Sequence, residues 1–377
     1  MPTCRACRHT NGQIVLDLGE QPACDYFPRG DDPGPDPVYP LQMWLCARCG
    51  LAQLAADPTV PREPRATEPA ALVAQAADAV GRAAVAGLLP VGARVAEYGS
   101  PHGGSWLPLL RDRGLVPVAN GEPADVVVDC FGLMHAADQH GALAGRLARL
   151  GAGGVLLVQY HSLATIIKHG QWNALRHGHY AYYSTESLLA MLAAQAFRPL
   201  TAWRFDLYGG TVLLAAARDA EVSAAASTTP DRDGIVADLL AEDARVGAAD
   251  PDALRGLADR ARATAAGLAD WLAAERDAGR RVIGYGAASR AVALLCMAGV
   301  DRRSLPAIAD ASPAKHGLRM PGTGIPVVSP AQMSASPPDS VLLFVSDLRS
   351  EVKAAFPEIE AAGGRWLDAD SFTRVRG

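Results

Sequence analysis

The chain has little net charge for its length. Its 377 residues hold 35 Lys and Arg against 40 Asp and Glu, leaving a formal −5 and a pI near 6.0. That balance gives no basic footprint for nucleic acid. No apolar run is long enough to cross a bilayer. The opening Met-Pro-Thr-Cys has no basic stretch leading into an apolar one, so no secretory signal is read. No internal repeat is found. What remains is a chain that is 49% hydrophobic, enough to fill the interiors of two or three domains.

Cysteine is sparse but patterned. Of seven cysteines, four form two Cys-x-x-Cys pairs, Cys4–Cys7 and Cys46–Cys49. Each pair sets two thiols on one tight turn, and two such turns supply the four sulfurs of a closed tetrahedral structural zinc site. A shell of four thiolates has no open position, so the metal is read as scaffold. Two disulfides, or four unrelated thiols, are the competing readings. Cys24, Cys130 and Cys296 sit in apolar surroundings and are read as small core residues. Thiols that serve a metal, with no export signal, point to the reducing cytoplasm.

Residues 28–39 and 57–69 are rich in Pro and charge and read as loop and linker. Helical spacing follows from Pro69 to Leu89, then a strand over 94–98, a Gly-rich turn, and a buried strand over 125–129. A helix near 140–150, a strand at 155–158, and two strands within 201–217 joined at Tyr208-Gly209-Gly210 continue the pattern. The alternation predicts a doubly wound α/β sheet with an antiparallel finish. Residues 218–250 read as a boundary, and a helix over 252–278 leads to a second α/β unit, with strands at 281–286, 306–309 and 341–345. The predicted domains are a metal lobe at 1–65, a central α/β domain at 66–220 and a terminal α/β domain at 221–377.

Three segments carry candidate chemistry. Glu97-Tyr98-Gly99-Ser100-Pro101-His102-Gly103-Gly104 follows a strand and precedes a helix, where glycines let a ligand approach the backbone and a helix end offers N–H groups. A tight turn without a ligand is the plain alternative. Gly284-Tyr285-Gly286 holds the same position in the terminal unit, with no acidic residue at ribose-binding distance; a nucleotide site and a packing turn both remain open. Residues 171–184 gather His177, His179, Tyr180, Tyr182 and Tyr183 ahead of a helix. Imidazole suits proton removal near neutral pH, and a phenol can hold an oxygen as charge develops. An enolate formed beside a ketone can attack an electrophilic methyl group.

Together these segments resemble the S-adenosylmethionine-dependent nucleotide-sugar C-methyltransferases of antibiotic deoxysugar pathways, over the whole chain. Cys4, Cys7, Cys46 and Cys49 match that family's zinc ligands, and Glu97, Gly99, Ser100 and Gly103 its Glu-x-Gly-Ser-x-x-Gly cofactor motif. His135 and Asp138 fit its His-x-x-Asp stretch, while Gln171, His177, His179, Tyr180, Tyr182 and Ser184 match its catalytic segment. Asp310, Pro313, Lys315, Gly317 and the run Pro321–Pro326 match its terminal domain. The resemblance implies a class I methyltransferase-like Rossmann domain between a zinc lobe and a second Rossmann-like domain. It implies His179 as the base, with His177, Tyr182 and His135 nearby, and a thymidine-diphosphate 4-keto deoxysugar as substrate.

The sequence also departs from that family. Arg176 and Gly178 stand where the family has Tyr and Glu, and Pro101-His102 replaces Asn-Asp in the Gly-rich turn. Pro61-Arg62-Glu63-Pro64-Arg65 replaces a Tyr-rich segment. The stretch between Gly103 and Asp125 is short, so a third strand and its helix are expected to be missing. The predicted second strand ends near Asn120 without the carboxylate that normally holds the cofactor ribose; Glu122 is out of register. These departures keep two further functions in view: enolisation without methyl transfer (an isomerase, epimerase or lyase), and a non-catalytic partner subunit.

Overall fold

The computed structural model describes residues 2–59, 68–218 and 234–372. Most of the predicted linker, including Pro61–Arg65, and half of the predicted boundary at 218–250 lie outside them. Three sheets organise the described residues.

The first sheet begins with β1 (Gly12–Pro22), β2 (Val38–Cys46) and β3 (Ala52–Leu54), all antiparallel neighbours. Its register places Gly12 opposite Cys46, so the second cysteine pair opens directly off the sheet. One face of β1 and β2 buries Val15, Leu16, Leu18, Leu41, Met43 and Leu45.

The central sheet is built from β4 (Arg94–Gly99), β5 (Val116–Pro117), β6 (Ala124–Cys130) and β7 (Leu150–His161), which run parallel. Two residues further along the chain, β8 (Ala181–Tyr182), leave this sheet and pair with β3 of the first. The sheet is completed by β9 (Phe197–Phe205) and β10 (Thr211–Arg218), with β10 antiparallel to β7 and β9. The strand order is β5-β4-β6-β7-β10-β9. It is a doubly wound order ending in an antiparallel pair, and among the described residues no strand lies beyond β5. The chain passes from Pro117 to Ala124 without an intervening helix, which is the predicted loss. Val126, Val127 and Val128 are all buried, as a strand covered on both faces requires.

The terminal sheet is wholly parallel, in the order β13-β12-β11-β14-β15. Its strands are β11 (Val282–Tyr285), β12 (Ile308–Ala309), β13 (Val327–Val328), β14 (Ser340–Leu343) and β15 (Arg365–Asp368). The helix Pro251–Asp277 is capped at its start by Asp250, whose side chain accepts from Asp252 N. It buries Leu254, Leu257, Leu268 and Leu272 in one cluster with Leu16 and Leu41 of the first sheet and Val292 and Ile325 of the terminal unit. The metal lobe and the terminal unit thus share a core. No helix among the described residues is long and apolar enough to cross a membrane.

Candidate metal centre and active-site cavity

The two cysteine turns face each other. In each, the third or fourth residue of the turn returns an N–H to the first sulfur: Cys7 N to Cys4 Sγ at 3.5 Å and Arg48 N to Cys46 Sγ at 3.4 Å. Each turn leaves through a left-handed residue, Arg8 (φ 63°) and Gly50 (φ 67°). The sulfurs meet crosswise, Cys4 with Cys49 and Cys7 with Cys46, both at 3.6 Å. A disulfide is excluded, since all four are free thiols and a bond needs about 2.05 Å. Zn–S bonds of about 2.3 Å in a tetrahedron set sulfurs about 3.8 Å apart. The four sulfurs lie within 4.8 Å of one another, so the donor set fits zinc with little adjustment. Four thiolates leave no corner for substrate, and the centre is structural. Cys24 and Cys130 are buried as expected, and Cys296 is half-buried.

A cavity of about 380 Å³ opens at the carboxyl ends of β4 and β6, where the central and terminal units meet. Three imidazoles from three separate segments converge on it. His102 lies in the Gly-rich turn after β4, His135 ends a single 3-10 turn after β6, and His179 closes the loop before β8. Ring centres are 4.5 Å apart for His135 and His179, and 4.9 Å for His102 and His135. His135 Nδ1 sits 2.9 Å from the carbonyl oxygen of Gly178. A carbonyl only accepts, so Nδ1 carries the hydrogen and Nε2 the lone pair.

His179 is buried, and its basicity is pushed well below that of ordinary histidine. Burial is the largest cause, followed by the Arg176 guanidinium and then the other two imidazoles. Arg176 Nε donates to His179 Nε2 at 3.0 Å and Nη1 donates to Ser289 Oγ at 2.8 Å, reaching across to the terminal unit. Among the described residues no carboxylate forms an ion pair with Arg176. His161 also lines the cavity; burial, first, lowers its pKa to about 4, and its Nε2 donates to Gln171 Oε1 at 2.9 Å.

The remaining predicted site residues divide. Tyr182 lines the cavity, but its hydroxyl accepts from Arg176 N at 3.1 Å and so serves the loop. His177, one residue from the cavity wall, turns away: its Nε2 lies 3.3 Å from the carbonyl oxygen of Pro40 and its ring meets Tyr39 edge-on. Glu97 holds the turn that follows it, accepting from Ser105 Oγ at 2.6 Å and Trp106 N at 2.5 Å. Ser100 Oγ accepts from His102 N at 3.2 Å. Gly103 (φ 111°) has open space on its Cβ side, and a Cβ on Gly99 would meet only Gly104 O, at 3.5 Å, so the turn keeps a face clear for a ligand. Glu122, the carboxylate nearest the end of the predicted second strand, folds back to accept from Ala119 N at 2.9 Å. In the terminal unit, Ala287 N donates to Asp310 Oδ2 at 2.8 Å and Ala287 O accepts from Lys315 Nζ at 2.8 Å, while Tyr285 and Gly286 of the preceding turn line the cavity. Sequence reasoning registered His102 and Arg176 only as departures; nothing local signals that both meet His179.

Comparison with known proteins agrees with this anatomy. Residues 206–369 match the family model "C-methyltransferase C-terminal domain", and residues 4–63 match "Putative zinc binding domain". The chain is 27% identical over 411 aligned positions to the C-methyltransferase NovU of Streptomyces niveus, covering 97% of this chain and 94% of that protein. Among solved structures, magnesium protoporphyrin IX methyltransferase from Synechocystis, with bound SAH, is 9% identical, with a TM-score of 0.30 over 38% of this chain and 82% of its own. The N-methyltransferase NodS from Bradyrhizobium japonicum is 12% identical, with a TM-score of 0.27 over 38% of this chain and 94% of its own. Neither likeness bears on substrate or chemistry. The paired domain matches and the near-complete alignment support a methyltransferase enzyme that is similar, over nearly its whole length, to a C-methyltransferase.

Proposed function

We propose that the protein methylates a carbon next to a ketone on a small biosynthetic intermediate, with a nucleotide-linked keto sugar as the substrate class and S-adenosylmethionine as the donor. One observation carries this reading. A neutral, buried histidine faces a cavity at the carboxyl ends of β4 and β6, beside a guanidinium that no carboxylate among the described residues pairs with. S-adenosylmethionine supplies an electrophilic methyl group, and Gly99–Gly103 is the segment that leaves room for it.

Substrate binding draws the Arg176 guanidinium from His179 Nε2 to the carbonyl oxygen, which frees the ring's lone pair. His179 then takes the proton from the carbon next to the carbonyl, and the C–H electron pair moves onto the carbonyl oxygen as an enolate. Arg176, 3.0 Å from the same ring, disfavours a lasting imidazolium and favours the enolate oxygen. His135, ring to ring with His179, is placed to receive the proton onward. Held along Gly99–Gly103, S-adenosylmethionine would supply the methyl group to the enolate carbon, its methyl–sulfur bond breaking to leave S-adenosylhomocysteine. Tyr182 holds the loop in position. A cytoplasmic setting suits the free thiols of the metal lobe.

A second reading, enolisation without methyl transfer, is favoured by two observations: the engagement of Glu122 with its own loop and the absence of a strand beyond β5 among the described residues. Calorimetry with S-adenosylmethionine and S-adenosylhomocysteine separates the two. Binding supports methylation, and no heat at millimolar ligand leaves enolisation alone. Both predict solvent deuterium entering a keto-sugar substrate. His179→Ala should lower that incorporation about 10²–10⁴-fold, and His177→Ala should leave it near the native rate. Equal incorporation by His179→Ala and the native protein would remove the base.

A further inference from the structure

We infer a second metal site: His102, His135 and His179 form an exchangeable site for a divalent transition metal, with an open position toward the cavity. Each imidazole offers one nitrogen, and those three nitrogens lie within 4.8 Å of one another. A bound tetrahedral ion with metal–nitrogen bonds of about 2.0–2.1 Å needs them about 3.3 Å apart, a closure that ring rotations supply. Three histidines and a vacant fourth corner suit zinc, cobalt or nickel and leave room for an oxygen ligand. The hydrogen bond from His135 Nδ1 to Gly178 O at 2.9 Å is the outer contact that metal-ligating histidines use to fix the ring and present the other nitrogen. The three ligands come from the Gly-rich turn, the segment after β6 and the loop before β8, so the site assembles only in the folded chain.

Arg176 makes the site exchangeable. Its Nε–H occupies the His179 Nε2 lone pair at 3.0 Å, where a metal ion would bind, and its positive charge opposes a second cation. Guanidinium and metal are alternatives. Loading requires Arg176 to give up its bonds to His179 and Ser289, and no ion pair among the described residues holds it there. The consequence for the reading above, on which this regulatory role rests, is direct. An imidazole that ligates a metal has no lone pair for a proton, so metal-loaded protein does not enolise substrate.

The test uses full-length protein with zinc in its four-cysteine site, titrated with Co(II) to millimolar concentration. The expected result is one additional Co(II) per chain, with the weak visible bands of nitrogen and oxygen ligands and no new sulfur charge-transfer absorption. His102→Asn and His135→Gln should each abolish that equivalent while keeping one zinc per chain, which reports that they fold. Arg176→Met should bind Co(II) at least tenfold more tightly. A native protein that takes up no second metal overturns the site, as does a second equivalent that persists in both histidine variants. Metal uptake is read without substrate, so its failure is distinguishable from a failure of the deuterium test, which is run on metal-stripped cavities with zinc kept on the cysteines.

Discussion

At the scale of single residues, the two halves of function differ in how they are encoded. The zinc ligands are two local spacings, and Cys4-x-x-Cys7 with Cys46-x-x-Cys49 is sufficient to predict both the turns and their meeting. Cys46→Ser should release the zinc, read as metal per chain, and expose the first lobe to proteolysis. The cavity is different. His102, His135 and His179 are far apart in sequence, each flanked by ordinary loop residues, and only the packing of three turns brings them together. His177 illustrates the same limit: it belongs to the same short motif as His179 yet bonds toward Pro40. Which of two neighbouring histidines faces the cavity depends on Gly178, held left-handed at φ 81° between them, with its N–H on Asp57 Oδ2 at 2.6 Å.

Among the elements, the order of helices and strands in the two α/β units was readable from apolar periodicity, and the loss of a strand from a short interval. The two-residue β13 is not separable from loop, because two residues carry no period, whereas β12 falls inside the strand expected at 306–309. The helix Pro251–Asp277 was legible, but not what fixes its end. Glu275 near its last turn is buried and bonded to Arg280 and Arg365, at 2.8 and 2.7 Å, which pins the helix to β15. Those hydrogen bonds, Arg280 first, lower its pKa from 4.5 to about 2. A depressed carboxylate stabilises the fold fully above pH 4.5 and loses that contribution as pH falls toward 2. Both arginines are partly exposed, so the term is of order 2 kcal/mol after solvent screening. Urea midpoints should fall across that window in the native protein and more shallowly in Glu275→Gln. In β1, a Cβ on Gly12 would lie 2.2 Å from the Trp44 ring and 2.3 Å from Leu45 O. Gly12→Ala is therefore expected to cost about 1–3 kcal/mol through overpacking, measurable as a lower thermal midpoint.

For the molecule as a whole, three lobes are legible in the sequence, but the contacts that join them are not. Residues 28–39 read as a loop, and the segment contains no named helix or strand beyond the start of β2. Yet Asp36 within it forms a two-pronged, nearly dry ion pair with Arg319 of the terminal unit, both bonds at 2.7 Å. Removing one partner strands a buried charge, so Asp36→Ala should destabilise the protein by about 3–5 kcal/mol and speed proteolysis of the first lobe. Charge composition alone cannot pair residues so distant along the chain.

The pairing of β8 with β3 carries this further. The loop that ends in His179 is continued at once by Ala181 and Tyr182, which are hydrogen-bonded to Gln53 and Ala52, and β3 is in turn zipped to the strand that ends at Cys46. The four-cysteine centre and His179, the base proposed above, are therefore two ends of one backbone ladder. A chelator strong enough to strip the cysteines should slacken the catalytic loop from a distance, silencing an enzyme whose chemistry never touches that centre.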